Sequence, residues 1–154
     1  MNVAGIDPGL IGAVAVVNSI GCGIVDLCNM PTTNKEVDAV VLIDTLQDWG
    51  VKHVYLEKAQ SMPKQGVVSM FTYGVGYVMI RGALAAAKIP YTLIHPATWK
   101  KVMCKDMERG KAASIVRVKQ LYPELRLKNS EHDKADAILL AVYGIGLNVK
   151  VGGR

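Results

Sequence analysis

The sequence contains few cysteines, and this shortage excludes two classes of small protein. The three cysteines, Cys22, Cys28 and Cys104, are odd in number and include no Cys-x-x-Cys pair. They therefore predict neither a disulfide framework nor a zinc site. We expect them to be reduced thiols that pack as small hydrophobic side chains.

We also expect no segment that would direct the chain into a membrane or out of the cell. The apolar stretch at 79–87 is interrupted by Arg81 and followed by Lys88, so it falls short of the 18 or more apolar residues of a membrane helix. Residues 1–6 lack a basic segment followed by an apolar signal core. We expect a cytoplasmic protein with no membrane partner; an organellar location stays open if a transit peptide has been removed.

The composition is that of one globular domain over residues 1–154, without repeats or low-complexity tracts. Hydrophobic residues make up 51% of the chain and charged residues 20%, which is enough apolar material for a core and excludes intrinsic disorder. The net charge of +5 lies entirely within residues 98–119. A basic cluster of this kind suits a polyanion such as nucleic acid, although a solvated helical face explains it equally well.

The hydrophobic patterns predict a mixed α/β domain. Strands are expected at 2–7, 11–17, 22–28, 52–57 and 91–94, and helices at about 35–49, 66–88, 97–103, 108–121 and 132–147. The first three strands are joined by tight turns and should pair antiparallel. The later strands are separated by helices and should pair in parallel. The expected architecture is a five-stranded mixed sheet flanked by helices.

Four carboxylates occupy positions that can converge in such a fold. Asp7 and Glu57 each end a predicted strand, while Asp133 and Asp136 share one face at the start of the last helix. Taken singly, each has a structural explanation as a turn residue, an edge charge or a helix cap. Together they would repel unless cations neutralised them, and hard oxygen ligands select Mg²⁺ or Mn²⁺. Two such ions are a common device for cleaving phosphodiesters.

The same acids lie in motifs that point to a family. The motifs are Gly5-Ile6-Asp7-Pro8-Gly9, Tyr55-Leu56-Glu57 and Asp133-x-x-Asp136. With the blocks at 65–71 and 95–101, they resemble the RuvC Holliday junction resolvases of the ribonuclease H-like superfamily. The similarity is greatest to the chloroplast-type members and their bacterial or phage relatives. It covers about residues 3–146.

This resemblance implies an activity, a cofactor and partners. It implies a homodimeric endonuclease that makes paired nicks across a four-way DNA junction, with two Mg²⁺ ions per active site and Mn²⁺ as a substitute. A branch-migration helicase is a further expected partner, and the expected host is a bacterium or a phage-infected cell. The catalytic and metal-binding residues would be Asp7, Glu57, Asp133 and Asp136.

Basic and amide side chains are expected to bind the DNA. The loop at 58–65 corresponds to the segment that approaches the junction centre in the family, and a second set lies on the predicted helix starts. Trp99, Phe71 and Tyr73 could each either stack on a base or pack in the core. His132 could lie near the metal, cap the helix or face solvent. The DNA-binding candidates are Lys58, Lys64, Gln65, Lys100, Lys101, Lys105 and Lys111.

Two other functions stay open at this point. A ribonuclease H-like nuclease acting on RNA or RNA–DNA hybrids would share the acids, and a non-catalytic junction-binding protein would share the basic surface. An actin-like ATPase is disfavoured, because its nucleotide lies between two such domains.

A stripe of mostly small residues recurs every four positions along the long central helix; it consists of Gly74, Val78, Gly82 and Ala86. Small side chains let another element approach closely, so we expect this face of the helix to pack against the sheet or against a second copy of the chain.

Overall fold

The computed structural model describes residues 1–60, 66–108, 110 and 112–152, with side chains described up to residue 147. Its strands are β1 (Asn2–Asp7), β2 (Ala13–Asn18), β3 (Ile24–Asn29), β4 (Thr32–Thr33), β5 (Glu36–Val37), β6 (Val51–Glu57) and β7 (Tyr91–Ile94). The main sheet has the order β3-β2-β1-β6-β7. The first three strands pair antiparallel, and β6 and β7 pair in parallel. The predicted five-stranded mixed sheet is confirmed.

Five helices of the described residues surround the sheet, and two of them begin later than the sequence pattern predicts. The helices are α1 (Ala39–Asp48), α2 (Val67–Ala86), α3 (Pro96–Met103), α4 (Ala112–Leu121) and α5 (His132–Gly152). The helix predicted at 108–121 begins at Ala112. The helix predicted from residue 35 begins only at Ala39, because β4 and β5 form a small hairpin first. Asp38 then caps α1 by accepting a hydrogen bond of 3.1 Å from the backbone N–H of Val41.

The sheet separates two hydrophobic cores. On one face, residues such as Val3 and Tyr55 pack with α3, α4 and α5. On the other face, residues such as Ile6 and Leu56 pack with α1 and α2. The three cysteines are free and half-buried, as expected.

Helix α5 lies directly against the backbone of β1. The contact is at Gly5, where a Cβ atom would overlap the carbonyl oxygen of Ala137 and come within 2.7 Å of the backbone nitrogen of Ala141. Only glycine allows this approach without displacing the helix. The contact fixes the start of α5, with its two aspartates, beside the end of β1.

Helix α2 carries a long apolar face that the described residues leave uncovered. Phe71 is 74% exposed and Val78 is 63% exposed. The expectation that the sequence holds no apolar segment of membrane-spanning size is wrong for this helix. The helix has 20 residues, and an 18-residue window within it reaches a mean hydropathy of 1.3 despite Arg81, which by length and composition suffices to span a membrane. One such helix is weak evidence for a membrane, because helices of soluble proteins meet the same standard.

Candidate active site

The four predicted acidic residues come together at one edge of the sheet. Asp7 and Glu57 end β1 and β6, which are parallel neighbours with Ile6 paired to Leu56. Asp133 and Asp136 lie in the first turns of α5, which packs on β1. The parallel register and the glycine contact therefore bring two strand ends and one helix start to the same place.

The electrostatics of Asp7 show how closely the acids are grouped. Burial and the nearby charges of Glu57, Asp136 and Asp133 raise the pKa of Asp7 from 3.8 to about 8, against an opposing effect of Lys100. Without an added cation, this carboxyl is mostly protonated at neutral pH. The site thus contains more negative charge than its own basic residue neutralises.

That basic residue is Lys100 of α3, which the sequence predicted only as a DNA-binding residue. Its Nζ atom lies 2.8 Å from Oδ2 of Asp136 and donates a hydrogen bond to it. Burial lowers the pKa of Lys100, but the charge and hydrogen bond of Asp136, with Glu57, outweigh burial and leave the pKa raised. Lys100 therefore belongs to the acidic cluster as its internal counter-ion.

The residue before it, Trp99, contacts the acid on the other strand. Its side chain is fully buried, which confirms packing in the core as its position. The indole N–H donates a hydrogen bond of 2.7 Å to Oε2 of Glu57. Burial raises the pKa of Glu57, while the hydrogen bond from Trp99 and the charge of Lys100 act in the opposite direction. The sequence pattern gave no sign of this bond, because Trp99 and Glu57 are 42 positions apart.

A tyrosine of α2 completes the walls of the site. A Cβ atom added at Gly9 would lie 3.6 Å from the ring of Tyr73. The ring therefore packs on the turn that follows Asp7. Burial, together with the charges of Asp7 and Glu57, raises the pKa of its phenol. From the sequence, Tyr73 is open between stacking on a base and packing in the core, and no motif places it beside Asp7. Phe71, two residues earlier, is exposed and outside the core.

A cleft of about 820 Å³ opens beside the acids, between α3, α4 and the start of α5. Lys100, Lys101, His132 and Asp136 are among its lining residues. The exposed side chains of Lys58 and Lys105 lie on the connections that follow β6 and α3. The other three DNA-binding candidates, Lys64, Gln65 and Lys111, lie outside the described residues.

Not every basic residue of segment 98–119 is free to bind a ligand. The guanidinium of Arg117 donates hydrogen bonds to the carbonyl oxygens of Met103, at 2.6 Å, and Lys105, at 3.0 Å. A third bond, of 2.9 Å, goes to the side chain of Gln120. Arg117 therefore stabilises the end of α3, and the basic segment is partly structural.

The chemistry of the acids fits divalent cations. Carboxylate oxygens are the ligands that Mg²⁺ prefers, and burial together with the neighbouring carboxylates raises the pKa of Asp7. Within the described part of the chain, no three His, Cys, Asp or Glu side chains are already grouped closely enough to hold an ion. His132 lies 3.5 Å from Oδ1 of Asp133 and contacts the carbonyl of Ser130 through Nδ1. The carboxylates that could bind a cation are therefore present. Two of their oxygens already accept hydrogen bonds, Oδ2 of Asp136 from Lys100 and Oε2 of Glu57 from Trp99.

Comparison of the whole chain with known proteins gives matches only at the level of structure. No family model and no curated protein sequence matches the chain. A structure described as Thermus thermophilus RuvC in complex with Holliday junction substrate matches with a TM-score of 0.76 and 19% identity, over 99% of this chain and 96% of the other. The yeast mitochondrial Holliday junction resolvase Ydc2 matches with a TM-score of 0.60 and 12% identity, over 97% and 81%.

A viral protein belongs to the same set of structural neighbours. The fowlpox virus Holliday junction resolvase matches with a TM-score of 0.56 and 17% identity, over 99% of both chains. At these identities the likeness shows a shared fold, and it extends over nearly the full length of each chain. The ribonuclease H-like fold expected from the sequence motifs is confirmed.

Proposed function

We propose that this protein is a metal-dependent endonuclease that resolves four-way DNA junctions. The observation that carries the proposal is the convergence of Asp7, Glu57, Asp133 and Asp136 at one sheet edge, where burial and the neighbouring acids raise the pKa of Asp7 to about 8. Buried acids that repel one another are costly to maintain without a use for them. The fold shared with three resolvases supports the junction as substrate.

The four carboxylates would hold two Mg²⁺ ions, or Mn²⁺ in their place. When bound, such ions supply an activated water and stabilise negative charge on the phosphate. The chain contributes a half-buried pocket that limits competing water, and it contributes Lys100 as a positive charge on the cleft side of Asp136. An ammonium group here can attract a phosphodiester into the cleft and shield the acids from its charge.

The exposed lysines beside the cleft would bind the arms of the junction. Lys58, Lys101 and Lys105 are exposed, and contacts of this kind to phosphates make affinity fall with salt concentration. Lys64, Gln65 and Lys111 are proposed to bind DNA on the basis of the sequence alone. None of these contacts reads base identity by itself.

The proposal is tested with three matched substrates in Mg²⁺: a four-way junction, a duplex of one of its arms, and an RNA–DNA hybrid of the same sequence. We expect symmetric paired nicks in the junction and at least about 100-fold slower cleavage of the duplex, and no cleavage in EDTA. The readout is a denaturing gel with each strand labelled in turn.

The same experiment distinguishes the two alternatives. Preferential cleavage of the hybrid would make the protein a ribonuclease H-like nuclease for RNA. Tight junction binding without cleavage in either Mg²⁺ or Mn²⁺ would make it a non-catalytic binding protein. Either result contradicts the proposed activity.

We further propose that two copies associate through the exposed face of α2. The stripe predicted to pack closely has no partner within the described residues: the space around Gly74 and Gly82 is open, and Val78 and Ala86 are exposed. In the part of the chain that the structure describes, the stripe does not pack against the sheet of the same chain. A groove of about 700 Å³ runs along this face, and its lining is almost wholly apolar; it includes Val67, Met70, Phe71, Val75 and Met79.

A two-fold symmetric dimer matches the two symmetric nicks of the proposed reaction. Val78→Glu should convert the dimer into a monomer at 10 µM or below, because it places two like charges in an apolar interface. The expected product from a cruciform plasmid then changes from linear DNA to nicked circles. Sedimentation velocity and an agarose gel measure the two effects.

Val116→Glu is the matched control, because Val116 is also exposed, at 45%, and lies on a different helix, α4. It should leave both the dimer and the paired cuts intact. A wild-type protein that sediments as a monomer at micromolar concentration would overturn this interface.

A further inference from the structure

Trp99 and Glu57 form a pair whose role goes beyond the packing of the core. Trp99 is fully buried, and the only polar atom of its side chain, Nε1, donates to Oε2 of Glu57 at 2.7 Å. An indole N–H at such depth needs an acceptor. The acceptor here is a carboxylate of the candidate active site, whereas a backbone carbonyl would have satisfied the indole equally well.

The surrounding elements fix both ends of this bond. Glu57 is paired with Ile94 in the β6–β7 register, and the N–H of Lys58 donates to the carbonyl of Ile94 at 2.8 Å. Two residues beyond Ile94, α3 begins at Pro96, with His95 capping the helix by accepting from the N–H of Ala97. The chain thus turns from the strand beside Glu57 directly into the helix that carries the indole.

The bond restricts the way Glu57 can face the other acids. A free glutamate has three rotatable side-chain bonds and can present either oxygen or both. With Oε2 held by the indole, Oε1 is the oxygen left for a cation. Glu57 is close enough to the other acids for its charge to raise the pKa of Asp7 and for that of Asp136 to act on Glu57 itself. The ring also lies 5.0 Å from Nζ of Lys100, so the same indole borders the lysine that pairs with Asp136.

We infer that Trp99 is a positioning residue that holds Glu57 in the geometry needed to bind a divalent cation together with Asp7. The inference rests on the proposed function, in which Glu57 is a metal ligand. Groups that hydrogen-bond a metal ligand typically contribute 10- to 100-fold to metal affinity. Trp99 would act entirely through Glu57 and without contact to the substrate.

The first test needs no metal and asks whether the bond exists in solution. Trp49→Phe leaves Trp99 as the single tryptophan of the chain, so its indole N–H gives one resonance in a ¹⁵N–¹H spectrum. Introducing Glu57→Gln into this background should shift that resonance upfield and speed its exchange with solvent. An unchanged resonance would overturn the inference, whatever the metal does.

The second test measures Mn²⁺ affinity by calorimetry, without DNA. Trp99→Phe, which keeps an aromatic ring and removes the N–H, should weaken Mn²⁺ binding about tenfold. Trp49→Phe is the matched control and should leave the affinity within twofold. Trp49 packs in the other core, and its carbonyl accepts a hydrogen bond from Asn2, at the opposite end of β1 from Asp7. Circular dichroism and the thermal midpoint of Trp99→Phe establish that the variant folds.

A double-mutant cycle separates positioning from general damage to the core. In the Glu57→Gln background, the additional Trp99→Phe substitution should change Mn²⁺ affinity by less than twofold. A full tenfold loss in that background would show that Trp99 acts by another route and would overturn the inference alone. Absence of Mn²⁺ binding to the wild-type protein would overturn the proposed function, and the inference with it.

Discussion

Asp7→Asn is expected to reduce junction cleavage by about 1000-fold or more while leaving junction affinity within about threefold. The substitution removes one carboxylate from the group proposed to hold the cations. Loss of several kcal/mol of charge stabilisation corresponds to a rate effect of this size. The basic side chains that bind phosphate are untouched, so binding and its salt dependence should persist. Single-turnover cleavage and a gel-shift titration in Ca²⁺ measure the two quantities.

The same substitution should stabilise the metal-free protein, and the sign follows from the pKa of Asp7. Between pH 4 and pH 8 the folded chain keeps a proton on Asp7 that the unfolded chain has released, since the pKa rises from 3.8 to about 8 on folding. The wild-type free energy of unfolding therefore falls as pH rises across this interval. Asparagine does not titrate, so the advantage of the variant should grow by at least about 1 kcal/mol from pH 5 to pH 8.

This advantage is measurable as a thermal midpoint in EDTA, where about 1 kcal/mol corresponds to roughly 3 °C for a chain of this length. Asp44→Asn is the matched control, because Asp44 is exposed on α1; it should change neither cleavage nor the midpoint. Cleavage by Asp7→Asn within threefold of wild type would remove Asp7 from the active site. A midpoint that falls at pH 8 would contradict the electrostatic account of the cluster.

The sheet was predictable because its signals are local. Apolar runs such as β1 and β7 end at turn-forming residues, and their bounds agree with the structure to the residue. The start of α1 was not predictable in this way. Val37 continues the helical spacing of the apolar residues in α1, but the positive φ angles of Asn34 and Lys35, 53° and 63°, close a hairpin there.

The acids were predictable as a group, whereas their partners were not. Asp7 and Glu57 follow from strand ends, which any parallel pair brings together. The partners Trp99 and Lys100 are consecutive, yet one bonds to a β6 residue and the other to an α5 residue. The direction of each side chain depends on where α3 packs against α5 and the sheet. That packing is a tertiary property, and no periodicity or motif in the sequence encodes it.

The second large effect is expected from Gly5→Ala, which should lower the free energy of unfolding by about 3 kcal/mol. In most strand positions this change would be neutral or favourable, because alanine loses less conformational entropy on folding than glycine does. Here the added methyl group would overlap the carbonyl of Ala137 and approach the backbone of Ala141 within 2.7 Å. Helix backbone cannot rotate away as a side chain can, so α5 as a whole must shift.

A shift of α5 also moves Asp133 and Asp136 away from Asp7, so cleavage should fall at temperatures where the variant is still folded. Gly146→Ala is the matched control on α5 itself, because no atom lies within 4 Å of the added methyl group. It should raise the free energy of unfolding by about 0.5–1 kcal/mol. Urea titrations of both variants, with cleavage measured at 15 °C, test the contact. Equal stability of the two variants would mean that α5 does not pack on β1 closely enough for Gly5 to position the acids.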